Sequence, residues 1–145
     1  MNWKTEAVEK LRQYKAKKNA IQNIPEELAR IESANVSIRS PSFDDAPVSA
    51  GGSRREDMLL SNIVMQEELE RCLEQARKWV ALVDAGLENL TANERLILER
   101  FYINPCVGAA EKLAEELAVD IKTVYHRKDV ALRRFTISLY GCVEC

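Results

Sequence analysis

AAEKLAEELAVDIKTVYHRK, residues 109–128, is the stretch whose reading decides the fold. Ala114, Ala118 and Val124 stand four and then six positions apart in it. A small residue inside one helix, a small one at the turn and an aliphatic one in the next helix is the spacing of a helix-turn-helix. Leu113, Leu117 and Val119 fill the wedge between the two helices. The pattern predicts helices over about 109–117 and 121–139, the second capped by Asp120. Glycine is the usual occupant of the turn. If the backbone of Ala118 takes a positive φ, its Cβ costs about 1 kcal/mol.

Winding the second helix at about 100° per residue separates its faces. Val124, Ala131, Phe135 and Leu139 turn inward, with Ile121 and Leu132 at the margin. Lys122, His126 and Arg133 turn outward, flanked by Thr123, Tyr125, Arg127 and Arg134. A basic helix held across a scaffold helix has the shape and charge to enter the DNA major groove. Its amino-terminal residues Lys122, Thr123, Tyr125, His126 and Arg127 are expected at base edges. Arg133 and Arg134, further along, are expected on phosphates. Lys128 falls on the inward side, where its stem runs out past the core, and is not expected to read a base. The competing reading is a solvated basic face on an ordinary helical hairpin.

Working outward, Thr91-Ala92-Asn93-Glu94 is a capping box that opens a helix over about 92–102, burying Leu96, Leu98, Phe101 and Tyr102. Asn104, Pro105 and Gly108 make the following loop. Residues 54–89 predict the longest helix, with Leu59, Ile63, Leu69, Leu73, Ala76, Val80, Val83 and Leu87 at steps of three and four and Gly86 near its end. Met58, Met65, Cys72 and Trp79 form a second partial stripe, so Cys72 is expected in the core. Residues 3–22 predict another helix through Val8, Leu11, Tyr14 and Ile21. Pro25 either kinks it or starts a new helix, and Ile24, Leu28 and Ile31 carry the apolar stripe to about Asn35. Residues 36–53, rich in Ser, Pro, Asp and Gly, predict a linker that Phe43 and Val48 anchor.

The expected architecture is all-α. A long helical hairpin occupies 1–89 with its loop at 36–53, a helix-turn-helix domain occupies 90–140, and 141–145 is a tail. Self-association of the hairpin and an intramolecular hairpin packed on its own domain are both open, since stripe width does not set oligomer state.

The net charge of −2 excludes bulk attraction as the route to nucleic acid, but the charge is uneven. Residues 1–20 carry six cations against two anions, residues 54–90 five against eight, and residues 120–135 five against two. No apolar run approaches the ~20 residues of a membrane span, so no membrane partner is expected. The charged start MNWKTEAVEK does not read as a signal peptide, and the four cysteines read as reduced cytosolic thiols.

Cys142 and Cys145 have the spacing of half a zinc site, without a second half, and no metal or cofactor is expected. Asp44-Asp45 reads as a solvated turn. His126, the one histidine, has no nucleophile and orienting partner beside it in the pattern, so no enzyme is expected.

The run LTANERLILERFYI…AAEKLAEELAVDIKTVYHRKDVALRRF, from Leu90 onward, resembles region four of bacterial sigma factors. The Leu-Thr-x-x-Glu-Arg opening and the Thr-Val-Tyr-x-x-Arg start of the last helix carry that resemblance. The whole chain is similar to phage and prophage regulators of the ArpU/RinA type, which pair an amino-terminal helical segment and a Ser/Pro/Asp/Gly-rich loop with a sigma-like carboxy-terminal domain. The resemblance implies a DNA-binding activator of late phage genes acting in the bacterial cytoplasm, and the sigma comparison extends this to contact with RNA polymerase. Nothing in the chain resembles the sigma regions that melt promoters. Two alternatives stand beside it: a DNA-packaging recognition protein of the small-terminase kind, and an interaction protein that binds polymerase or a sigma factor without touching DNA.

Overall fold

A computed structural model describes residues 1–40 and 49–144, with the backbone alone for 49–53. The fold is all-α: α1 (Trp3–Arg39), α2 (Ser49–Glu88), α3 (Ala92–Leu98) continued by a π-helical turn (Glu99–Ile103), α4 (Ala109–Leu117) and α5 (Ile121–Tyr140). The only strand-like feature among the described residues is an isolated bridge between Asn2 and Glu144.

Two compact units divide the chain: Met1–Lys18 with Arg77–Cys145, and Asn19–Ala76. The division does not fall at residue 89. The start of α1 and the end of α2 belong with the three carboxy-terminal helices, because their side chains complete the same core. Ala7, Leu11 and Val83 are buried with Leu90, Leu98, Ala131, Leu132 and Phe135. Trp79 and Tyr14 pack against this cluster and tie the helices by polar contacts as well. The Trp79 indole Nε1 donates to the Lys10 carbonyl at 3.0 Å, and the Tyr14 hydroxyl donates to Asp84 Oδ1 at 2.7 Å. Burial, with the Asp84 carboxylate beside it, pushes the Tyr14 phenol up to about 12.

In the other unit α1 and α2 bury Ile31, Leu73 and Ala76. Beside them Asn35 is 1% exposed. Its Oδ1 accepts from Asn62 Nδ2 at 2.9 Å, and its Nδ2 donates to Gln66 Oε1 at 3.3 Å. Gln66 in turn donates to Glu32 Oε2 at 3.1 Å. A polar layer built around one buried amide fixes the register of a helix pair, since any slip strands that amide against aliphatic groups.

Several sequence expectations need correction. Pro25 does not start a new helix: it lies inside α1, which runs on to Arg39. The lost backbone bond and ring clash cost ~3 kcal/mol in an interior turn, yet Ile24 and Leu28 are half-buried and Ile31 buried on either side, so packing holds the helix together. The linker is shorter than 36–53: α1 continues to Arg39, and α2 begins at Ser49 with Gly51 and Gly52 inside it. Phe43, Asp44, Asp45 and Val48 lie outside the described residues.

The second stripe does not widen the core of α2, because Met58, Met65 and Cys72 are exposed and only Trp79 is engaged. Gly86 lies near the end of α2, as expected, two residues before Glu88. It is a close-approach position: a Cβ there would lie 2.8 Å from both Leu139 Cδ2 and Phe135 Cε2. In α3 the expected core omits Ile97, which is as buried as Leu98. The two neighbours point into different clusters, Leu98 into the one with Phe135 and Ile97 into one with Ala110, Leu113 and Val124. A helix with a core on each side needs apolar residues on both faces.

Candidate nucleic-acid interface

The α4–α5 pair is built from local signals that can be read residue by residue. Gly108 precedes α4, and Ala109, Ala110 and Leu113 are buried along its inner face. At its end Ala118 takes φ 54° and ψ 45°, the left-handed conformation. The Ala118 amide donates to Glu115 O at 3.3 Å and the Val119 amide to Ala114 O at 3.1 Å. Those two bonds are the Schellman pattern, which satisfies carbonyls a helix end leaves open. Alanine holds a conformation glycine adopts freely, at a steric cost of about 1 kcal/mol.

Asp120 then caps α5, its Oδ1 accepting from the Thr123 amide at 2.8 Å. Hydrogen bonding from Thr123, side chain first and amide second, holds the Asp120 carboxyl below its ordinary range. The carboxylate also lies at the positive end of the α5 dipole. Val124, from the start of α5, and Leu113 are wholly buried against Ile97, with Leu117 and Val119 packed around them. The wedge expected from the sequence is thus filled by the expected residues.

With α5 fixed, its outer face follows. Lys122, Tyr125, His126, Arg127, Arg133 and Arg134 are exposed, and Thr123 is half-buried. Among the described residues no ion pair engages Lys122, His126, Arg127 or Arg133. Thr123 is tied to the cap instead. Tyr125 is 46% exposed and its ring centroid lies 5.8 Å from that of Phe101. The Lys128 ammonium lies over this aromatic shelf, 5.2 Å from the Tyr125 ring and 5.3 Å from the Phe101 ring. Lys128 is half-buried, and its ammonium also lies 4.0 Å from Asp129 Oδ1. Phe101 and Tyr125 are too far apart in sequence for helical periodicity to signal their contact.

Arg134 differs from the other cations. Its Nη1 is 2.9 Å from Glu94 Oε1. Glu94 also completes the capping box of α3: Thr91 Oγ1 accepts from the Glu94 amide at 3.2 Å, and the Thr91 amide donates to Glu94 Oε1 at 3.3 Å. The other carboxylate oxygen, Oε2, is buried with no partner among the described residues. The pair couples α3 to α5 and leaves less of the Arg134 charge for an external anion. Arg100 and Glu116 make a second such tie between the π-helical turn and α4, at 3.1 Å.

Among the described residues no three His, Cys, Asp or Glu side chains gather where they could hold a metal ion. Cys142 is half-buried and Cys145 lies outside the described residues, so the pair has no described geometry. No described helix is long and apolar enough to cross a membrane. No family model matches the chain, and neither a curated protein nor a solved structure matches it.

Proposed function

We propose that the protein is a sequence-specific DNA-binding transcription regulator whose α4 and α5 form a helix-turn-helix. The observation that carries this reading is the outer face of α5, where Lys122, His126, Arg127 and Arg133 are exposed, with no ion pair among the described residues, on a helix braced by α4. Here the first two turns beyond the cap present cations to solvent together with an aromatic shelf. Likeness to the phage late-gene activators adds the biological setting, in which promoter DNA and RNA polymerase are the partners.

Arg127→Ala is expected to weaken binding to a duplex selected from a random library by ~1–3 kcal/mol, relaxing preference at one position of the site. Fluorescence anisotropy on selected and scrambled duplexes measures both. Equal weakening on the two duplexes makes Arg127 a phosphate contact, and failure of any duplex to be enriched sinks the DNA reading.

The unit Asn19–Ala76 supports self-association as part of the same function. Met58, Leu60, Ile63, Val64 and Met65 are all exposed within little more than two turns of α2. At about 100° per residue, Leu60, Ile63 and Val64 share one side of the helix, and contiguous exposed apolar side chains mark interaction surfaces. A second copy fits one edge of it. Antiparallel pairing of two α2 helices centred between Ile63 and Val64 sets Glu56 of each copy opposite Arg71 of the other. Sedimentation is expected to give a dimer mass that falls to the monomer in the double variant Leu60→Glu, Val64→Glu. A monomeric parent protein excludes the arrangement, and a ring-sized assembly favours the packaging-recognition alternative.

A further inference from the structure

The cationic start of the chain has no role in the reading above, and its placement gives it one. Of the six cations in residues 1–20, Lys10 and Lys17 lie over the Trp79 ring and Lys18 over the Tyr14 ring. Lys4 lies elsewhere. It lines a concavity of about 550 Å³ together with Arg133, Ile137 and the turn of residues 141–144.

This wall of the molecule is held on several points. Gly141, at φ 75°, turns the chain back after α5. The returning segment bridges Glu144 to Asn2, and the Trp3 amide donates to Val143 O at 3.0 Å. The Trp3 and Tyr140 rings stack with centroids 4.7 Å apart. Asn2 Oδ1 accepts from the Lys4 amide at 3.0 Å, fixing the first turn of α1. Lys4 and Arg133 are thereby set in one fixed wall, although 129 positions separate them in sequence.

We propose that Lys4 and Arg133 together grip a duplex phosphate, extending the DNA-contacting surface of α5 onto the first turn of α1. The inference rests on the DNA-binding reading and adds a contact to it. Arg133 lies eleven residues beyond Lys122, which at ~1.5 Å per residue is about 16 Å along the helix. The major groove is about 12 Å wide. A helix that reads bases with its first turns therefore carries Arg133 to the groove wall, where phosphates lie. Arg134, next in sequence, is held by Glu94, so the second cation at this level is Lys4. The first turn of a long helix adds the positive end of its dipole to the same wall. Glu144, which also lines the concavity, opposes the anion and supplies a test of sign.

The recognised chemistry is a phosphate oxyanion, and duplex backbone is the proposed source. The test is a salt titration of the full-length protein on its selected duplex and on a scrambled one. Lys4→Ala is expected to weaken both complexes by the same factor and to reduce the log–log salt slope by ~0.9, the value for one lost phosphate contact. Lys4→Arg restores the parent behaviour, and Glu144→Gln tightens both complexes. If the parent protein binds with a steep salt slope while Lys4→Ala and Glu144→Gln leave affinity and slope unchanged, this inference falls and the DNA reading survives. A parent protein with no salt-dependent duplex binding removes the DNA reading, and the added contact with it. Inorganic phosphate, titrated at fixed ionic strength, is expected not to displace the duplex. Displacement from the parent but not from Lys4→Ala would identify a free phosphate as the occupant and overturn the proposal.

Discussion

A fragment comprising residues 90–145 is expected to show no cooperative unfolding transition, although its sequence contains every element of the proposed DNA-binding domain. The reason is the membership of its core. Leu98, Leu132 and Phe135 are buried against Ala7 and Leu11 of α1 and Val83 of α2, and the fragment lacks all three partners. It also loses the stack of Trp3 on Tyr140 and the packing of Trp79. A domain of some 56 residues is already marginal, because so small a chain buries only about 60% of the surface it exposes when unfolded. What remains is the smaller cluster around Ile97, Leu113 and Val124. Thermal melting followed by circular dichroism, with hydrogen exchange on α5, measures the outcome. A sharp transition with protected α5 amides in the isolated fragment would show that α1 and α2 contribute nothing essential to this core.

Phe135→Ala in the full chain is expected to cost ~3–5 kcal/mol, the range for truncating a buried aromatic ring. Typical domains have only about 5–15 kcal/mol in total, so the variant sits near the edge of folding. Phe135 is wholly buried, and its ring edge touches the space that a side chain at Gly86 would fill. That contact provides an internal control. Gly86→Ala alone overpacks the site, at a cost of about 1–3 kcal/mol. In the Phe135→Ala background the same methyl group partly fills the cavity, so the double variant is expected to be more stable than the sum of the single changes predicts. Urea denaturation of the four proteins closes the cycle. Strict additivity would mean that α2 and α5 do not meet at this point.

How much of this was legible in the sequence depended on whether the signal was local. Thr91 with Glu94, Asp120 with Thr123, and Ala118 after Leu117 act within three or four residues, and the ends of α4 and the start of α5 fall where those residues predict. The inward set Val124, Ala131 and Phe135 was equally plain, since one helical period sorts it. What could not be read was partner identity. Nothing near Ala7 or Leu11 says that they complete the core around Phe135. Pro25 allows a kink or a new helix start by its own chemistry, and nothing beside it says that α1 continues through it to a buried Ile31. Cys72 has the spacing of a core residue but is exposed, so periodicity alone misplaces it. In the candidate interface, the exposure of Lys122, His126 and Arg127 follows from the helical wheel. The Arg134–Glu94 pair and the wall shared by Lys4 and Arg133 join segments too distant for any pattern to connect.

The π-helical turn at Glu99–Ile103 decides which core each aromatic residue at the end of its helix enters. A single wide turn of this type amounts to one residue inserted into an α-helix. Here it lets Phe101 face the cluster around Leu113 while Tyr102 and Ile103 face the one around Phe135. Because this turn is the last of its helix, the added residue resets the point from which the loop of Asn104, Pro105 and Gly108 departs toward α4.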